Sequence, residues 1–332
     1  MSGLTVLVTG GAGFIGSNVV AELLAAGHEV VVSDRLRDAG SGKWRNLAKH
    51  AIADLFPPDD LDRWLEGHRQ SLDVIVHLGA IASTLDPDAD RVFSNNFGFS
   101  RDLFRWCAVN GVRFIYASSA ATYGDGSQGF NDAQDVESLS ALRPLNAYGW
   151  SKALFDIFAV REAAIGRAPP QWTGLKFFNV YGPNEAHKGP MSSVAAQLWR
   201  HVAAKEPVKL FRSHRAGYAD GGQMRDFIYV RDVAQCIAWL ALTPSVNGVF
   251  NLGSGRARTF ADLAQAVFVA AGQEPMIEYI DMPILFRDAY QYFTEARMDR
   301  LRSAGWTSEF TPLEEGVADY VRRYLARSDP YR

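Results

Sequence analysis

The chain has 332 residues, 48% of them hydrophobic and 12% aromatic, so it is too long for one small module and can bury a full core or two. Thirty-four lysines and arginines stand against 37 aspartates and glutamates, giving a net charge of −3 with neither sign gathered into a block. That balance argues against nucleic acid or a membrane surface as the main partner and leaves a small molecule as the expected one. Two cysteines, Cys107 and Cys236, each sit inside an apolar helical pattern, which leaves no disulfide framework or zinc site. A strand pattern begins by Leu4 with no basic and apolar leader ahead of it, and no later apolar run nears the roughly 18 residues of a membrane span. A soluble, cytoplasmic protein is expected.

In chain order, residues 5–10 (TVLVTG) read as a strand and 14–27 (FIGSNVVAELLAAG) as a helix closed by Gly27. Residues 29–34 and 73–80 read as strands, 101–111 as a helix, 112–119 (VRFIYASS) as a strand, 147–164 as a helix and 172–182 (WTGLKFFNVYG) as a strand. This alternation predicts βαβ units and an α/β fold: a doubly wound parallel Rossmann sheet covered on both faces. Gly182-Pro183 punctuates the pattern. Beyond it, 192–204 reads as a helix, 208–212 as a short strand, 212–224 as a polar, glycine-rich loop, and 225–242 as a strand and helix that return to the large domain. Helices follow at 260–272 and 313–326, and the terminal SDPYR reads as frayed. The expected division is 1–183 plus 225–243 as a dinucleotide-binding domain, with 184–224 plus 244–332 as a smaller α/β substrate domain.

Residues 9–16 read TGGAGFIG and place Gly10, Gly13 and Gly16 between a predicted strand and a predicted helix. Gly10 suits the tight turn, Gly13 a close backbone approach to a pyrophosphate, and Gly16 close helix–strand packing. The helix start at Phe14 and Ile15 offers free N–H groups and a partial positive charge. Asp34, 18 residues after Gly16, suits the ribose hydroxyls of an adenosine half, and Asp54-Leu55 an adenine contact. Asp34 alone favours NAD; with Arg35 and Lys43 beside it, NADP stays open.

Tyr148 and Lys152 stand four apart at the start of a predicted helix, so both project from one face. A nearby ammonium favours the phenolate, so Tyr148 is expected to titrate below its ordinary value of about 10 and to take a proton from an alcohol. Ser118 and Ser119 end a predicted strand, and carboxyl ends of strands face the ligand crevice in such sheets. Glycine turn, strand-end serine and Tyr–Lys pair, in this order, are far more specific than any one of them.

On these residues the sequence resembles the extended short-chain dehydrogenase/reductases, the sugar-nucleotide epimerase and dehydratase superfamily, over nearly its whole length. The stretches YASSAATYG, LNAYGWSK, FFNVYGPNEAHKG, RDFIYVRDV and GVFNLGSG most resemble the ADP-glyceromanno-heptose 6-epimerase family, bacterial enzymes that supply the heptose of the lipopolysaccharide inner core. The resemblance implies Tyr148 and Lys188 as two acid/base residues, with Lys152 assisting Tyr148 and binding the nicotinamide ribose. It implies Ser119 at the substrate hydroxyl; Asn179, Phe211, Arg225 and Tyr290 at substrate contacts; and Leu78, Gly79, Ala80, Asn95 and Val180 on the cofactor side. NADP or NAD, one per subunit, a nucleotide-diphosphate sugar such as ADP-heptose, and a homo-oligomer are the partners it implies.

The chemistry needs these parts. The carbon to be inverted bears a hydroxyl and has no neighbouring carbonyl, so deprotonation would leave an unstabilised carbanion. Oxidation to a flat ketone avoids that, and re-reduction from the opposite face inverts the centre. The rotated oxygen leaves the first acid/base group behind, so a second donor is useful, and a partly desolvated Lys188 suits that role. Arg225 suits the diphosphate; for Arg212 and Arg215, ligand contact and solvated charge are both open. His187 reads as structural or substrate-lining. The sequence departs from the heptose epimerase pattern in the stretch 77–81 (HLGAI), at Pro190 and Gln197, and in a longer 212–224 loop. The nearest rival activity is a UDP-hexose 4-epimerase, which Lys188 disfavours. A 4,6-dehydratase lacks its acid and base, since Ala120 and Ala121 follow Ser119. A non-enzymatic dinucleotide sensor would not require Tyr148 and Lys152.

Overall fold

A computed structural model describes residues 3–37, 39–84, 86–287 and 290–332. Seven strands form the main sheet: β1 (Thr5–Thr9), β2 (Glu29–Ser33), β3 (Asp54–Phe56), β4 (Val74–His77), β5 (Arg113–Ser119), β6 (Trp172–Phe177) and, last in sequence, β10 (Gly248–Leu252). Their order is β10-β6-β5-β4-β1-β2-β3, and every pair is parallel. The interior runs are apolar and β-branched because both faces are covered, as Val6, Leu7, Val8 and Val74, Ile75, Val76 are wholly buried. Helices α1 (Phe14–Ala25), α2 (Leu61–His68), α3 (Ala89–Phe93), α4 (Phe99–Asn110), α5 (Val136–Ala141) and α6 (Ala147–Ala164) follow in chain order. The strand order reverses between β1 and β4, so the carboxyl ends of these two strands open a crevice at the glycine turn.

Past β6 the chain runs through β7 (Asn179–Tyr181), α7 (Val194–Ala203), β8 (Val208–Phe211), β9 (Met224–Tyr229), α8 (Val230–Leu242), β10, β11 (Ala257–Thr259), α9 (Phe260–Ala271), β12 (Ile277–Ile280), α10 (Ile284–Arg287), α11 (Asp299–Ser303) and α12 (Leu313–Tyr320). β8 pairs with β12, and β7, β9 and β11 form a three-stranded sheet. A separate core gathers Leu198, Val202, Leu210, Val267, Phe268 and Val317 from α7, β8, α9 and α12. α8 returns to pack on α1.

Three expectations need correction. The run 172–182 is two strands, not one: the chain leaves the main sheet at Phe178, whose N–H donates to Leu252, and β7 then pairs with β9. The interval 244–332 is not confined to the smaller unit, because Gly248–Leu252 pairs with Thr173–Phe177 and forms the edge of the main sheet. No local signal announces that edge, since its partner lies 75 residues earlier in the chain. The terminal SDPYR is docked rather than frayed: Lys49 pairs with Asp329 at 2.8 Å and donates to the Tyr331 carbonyl at 2.6 Å, and the Arg332 guanidinium pairs with Glu22.

Candidate active site

The turn after β1 is closed to any larger residue. Gly10 has φ +71°, and a Cβ there would lie 2.6 Å from the Gly79 nitrogen; a Cβ on Gly16 would lie 2.2 Å from the Gly10 carbonyl oxygen. α1 starts from Gly13 with no side-chain cap and no acid in its first turn, so its leading amides point into the crevice with the positive end of the helix dipole. Such a cradle fits the pyrophosphate of a nicotinamide dinucleotide. A cleft of about 520 Å³ extends from it, lined by Gly10, Gly13, Phe14, Ile15 and Gly16, by Asp34 and Lys43, by Leu78, Gly79 and Ala80, and by Tyr148, Lys152 and Lys188.

Asp34 stands at the end of β2, where one carboxylate oxygen accepts from the Ala12 N–H at 2.9 Å and the other pairs with Lys43 at 2.6 Å. Lys43 also donates to the Arg35 carbonyl. The Arg35 side chain itself points away, pairing with exposed Asp59. His77, at the end of β4, is buried between Thr9 (2.7 Å) and Ser100 (2.8 Å), and burial, with the Lys152 charge adding to it, lowers its pKa to about 3. The polar residue in the departing HLGAI stretch is therefore a neutral buttress of the crevice wall.

Asn146 caps α6 by accepting from the Gly149 N–H at 2.8 Å, which puts Tyr148 in the first turn and Lys152 in the second. Lys152 is buried, and its ammonium donates to the Ala117 carbonyl on β5 at 2.8 Å. Burial lowers its pKa to about 8, opposed by the Asp156 carboxylate one turn on. Asp156 accepts from Tyr116, Ser118 and Lys176 at 3.0, 2.7 and 2.7 Å, so the hydroxyl of Ser118 is turned into the protein. Ser119 hydrogen-bonds with Tyr148 instead. Burial pushes the Tyr148 phenol up from its ordinary value and the Ser119 bond pulls the other way. The expected lowering of Tyr148 by its lysine is reversed here, because the phenol is desolvated and the ammonium is engaged by a backbone carbonyl.

Lys188, in the loop after β7, lines the same cleft as this pair. Its ammonium lies 5.1 Å from the centre of the Phe14 ring, and burial pushes its pKa down against the pull of Glu185. His187 beside it is held to about 4 by burial and by the charges of Lys43 and Lys188. Gln197, one of the departures, donates to the Ser192 and Pro190 carbonyls and stiffens this loop.

Several predicted residues lie elsewhere. Arg35, Asp54, Leu55, Asn95, Val180 and Asn179 do not line the cleft, and neither does Ser119, although its neighbour Ser118 does. Asp54 is exposed at the start of β3, Leu55 is 38% exposed, and Asn179 is exposed. Asn95 is taken up by a bond to Asn96, and Val180 packs into both main cores. Phe211 on β8, Arg225 on β9 and Tyr290 in the irregular segment after α10 form a second cluster, with Arg225 5.3 Å from the Tyr290 ring and 5.5 Å from that of Phe260, and Phe211 edge-on to Tyr290. Sequence reasoning missed Arg37, Ser41, Ser83, Phe177 and Met191, which also line the cleft. They lie in irregular segments or at a strand end, where no periodicity marks them.

Residues 6–253 match the NAD dependent epimerase/dehydratase family. An ADP-L-glycero-D-manno-heptose-6-epimerase of Nitratidesulfovibrio vulgaris is 51% identical over 328 residues, covering 98% of this chain and 99% of the relative. The crystal structure of the Helicobacter pylori ADP-L-glycero-D-manno-heptose-6-epimerase superposes with a TM-score of 0.78 at 28% identity, covering 97% and 96% of the two chains. That of the Thermus thermophilus UDP-glucose 4-epimerase in complex with NAD gives 0.72 at 29% identity, covering 96% and 98%. A parallel sheet reversing at a glycine turn, a Tyr–Lys pair on the helix facing that turn, and this coverage lead to one conclusion: the chain belongs to the NAD dependent epimerase/dehydratase family.

Proposed function

We propose that the protein is a nucleotide-sugar epimerase that converts ADP-D-glycero-manno-heptose to ADP-L-glycero-manno-heptose, inverting carbon six by transient oxidation and re-reduction. The observation that carries this reading is that Tyr148 and Lys188, from α6 and from the loop after β7, line one cleft that begins at the dinucleotide turn. The relatives' name supports the choice of sugar.

Gly10, Gly13, Gly16 and the first amides of α1 would hold the pyrophosphate, Asp34 and Lys43 the adenosine ribose, and Lys152 the nicotinamide ribose. Lys43 on Asp34 makes the site suitable for NADP or NAD. When bound, the nicotinamide supplies reversible hydride acceptance. Ser119 fixes the substrate hydroxyl beside Tyr148, and Tyr148 takes its proton as the carbinol becomes a ketone. Tyr148 takes that proton as the phenolate, having first lost its own to solvent; burial makes that loss harder and a cationic neighbour makes it easier. After the carbonyl has turned over, Lys188 gives a proton to the oxygen from the other wall, and its lowered pKa brings that transfer toward neutral pH. Arg225, with Tyr290 and Phe211, would hold the diphosphate and nucleoside.

A cytoplasmic location fits a nucleotide-sugar substrate. Among the described residues no helix is long and apolar enough to cross a membrane. We also expect a homo-oligomer, testable by light scattering. A substrate panel decides the sugar: ADP-D-glycero-manno-heptose should epimerise at least tenfold faster than UDP-glucose or UDP-N-acetylglucosamine, as about 1.4 kcal/mol of transition-state discrimination gives. A preference for a UDP-hexose would overturn the assignment.

A further inference from the structure

The loop that carries Lys188 is tied to the dinucleotide helix by buried polar groups. Asn18 Nδ2 donates to the Pro183 carbonyl at 3.0 Å, and Asn184 Nδ2 donates to Ser17 Oγ at 3.0 Å. Asn46 Nδ2 reaches both the Ala12 carbonyl in the glycine turn (2.9 Å) and the Asn184 carbonyl (3.0 Å). The Arg332 N–H donates to Asn184 Oδ1 at 2.9 Å. Ser17, Asn18, Asn46 and Asn184 are each no more than 2% exposed. Polar side chains so buried add little over apolar packing in energy, but every bond they make fixes a direction.

Asn184 has φ +74°, a left-handed conformation that asparagine tolerates better than most residues with a side chain. This turn sends the chain from β7 into two 3-10 turns over Ala186–Met191, broken at Gly189; in the first of them the Lys188 N–H donates to the Glu185 carbonyl at 2.9 Å. Glu185 is held in turn by Ser193 and Tyr320. The far end of Lys188 rests on Phe14, the first residue of the same helix α1. One helix therefore fixes both the root and the tip of Lys188.

We infer that Asn184 is a positioning residue: by locking the loop to α1 and to Asn46, it sets where the Lys188 ammonium stands relative to the glycine turn and Tyr148. The inference rests on the proposed acid/base role of Lys188. The charged and titratable groups of its loop and of the cleft it lines are Glu185 and His187, Asp34, Arg37 and Lys43 beside the turn, and Tyr148 and Lys152 on α6.

The test uses the full-length enzyme. Asn184→Gly keeps the left-handed turn and removes both side-chain bonds, whereas Asn184→Asp keeps an acceptor for Arg332 and removes the donor to Ser17. Asn184→Gly should lower kcat about tenfold with KM within about twofold, and Asn184→Asp should fall between it and the parent. The titration of Lys188, followed by pH-dependent acetylation and mass spectrometry, should move up toward the ordinary lysine value as water reaches the loosened loop. Parental kcat and Lys188 titration in Asn184→Gly would overturn the inference, as would a kcat loss that follows only a lower Tm. The Lys188→Met variant separates the two layers. Parental turnover there removes the acid role and the positioning together, while an inactive Lys188→Met beside a normal Asn184→Gly removes the positioning alone.

Discussion

Lys152 spends one ammonium hydrogen bond on the Ala117 carbonyl, 2.8 Å away, and so joins the helix that carries Tyr148 to the strand that carries Ser119. Burial holds this lysine at about 8, against 10.5 when solvated. Between those values the unfolded chain binds the extra proton, so this group makes the protein more stable as pH rises from about 8 to 10.5, and its penalty is fully present below 8. The stability of the parent minus that of Lys152→Met should grow across that window by on the order of 3 kcal/mol. Urea unfolding at pH 7 and pH 10.5 checks this, and a pH-independent difference contradicts it.

Tyr148→Phe and Lys188→Met should each lower kcat by about 10²-fold or more, the usual worth of a general acid or base, while nicotinamide dinucleotide affinity changes by less than about threefold. Fluorescence titration and an NMR assay of epimerisation measure the two quantities. Parental rates in either variant would refute the assigned role.

Gly16→Ala would put a methyl group 2.2 Å from the Gly10 carbonyl oxygen, a backbone atom that cannot swing aside. The turn must open, at a cost of about 1–3 kcal/mol in stability and with loss of dinucleotide binding. Tm and dinucleotide affinity should fall together.

Lys43→Ala removes the one ammonium on Asp34 and leaves that carboxylate facing the crevice. A 2′-phosphate would then meet a negative charge without its counterpart, so NADP affinity should fall at least about tenfold more than NAD affinity. Equal losses would show that Lys43 does not read the phosphate.

Lys176 on β6 and Asp156 on α6, the Tyr148–Lys152 helix, form a wholly buried ion pair. Lys176→Met strands the Asp156 charge among Tyr116 and Ser118, and should cost about 3–5 kcal/mol by urea unfolding. A cost under 1 kcal/mol would mean that the two hydroxyls suffice.

Much of this was legible in the sequence, for physical reasons. The glycine turn and α6 are local: the φ of Gly10, the contact of Gly16 and the Asn146 cap are written within a few residues of where they act. What the sequence left unread depends on distant partners. β10 joins the sheet only because β6 is there, and Ser118 turns inward only because Asp156 and Lys176 await it. The direction of the Tyr148 shift was misread because spacing puts a lysine near it, while burial and the Ala117 carbonyl are tertiary facts. Asn184 and Glu185 lie inside the motif that carries Lys188, yet their bonds to Ser17 and Tyr320 cross the fold.

The central claim is that the sugar carbon loses and regains its own hydrogen. Incubating the protein with ADP-D-glycero-manno-heptose in deuterated water and reading carbon six by NMR tests it most directly. Inverted product without carbon-bound deuterium is the predicted result; deuterium on that carbon would contradict it.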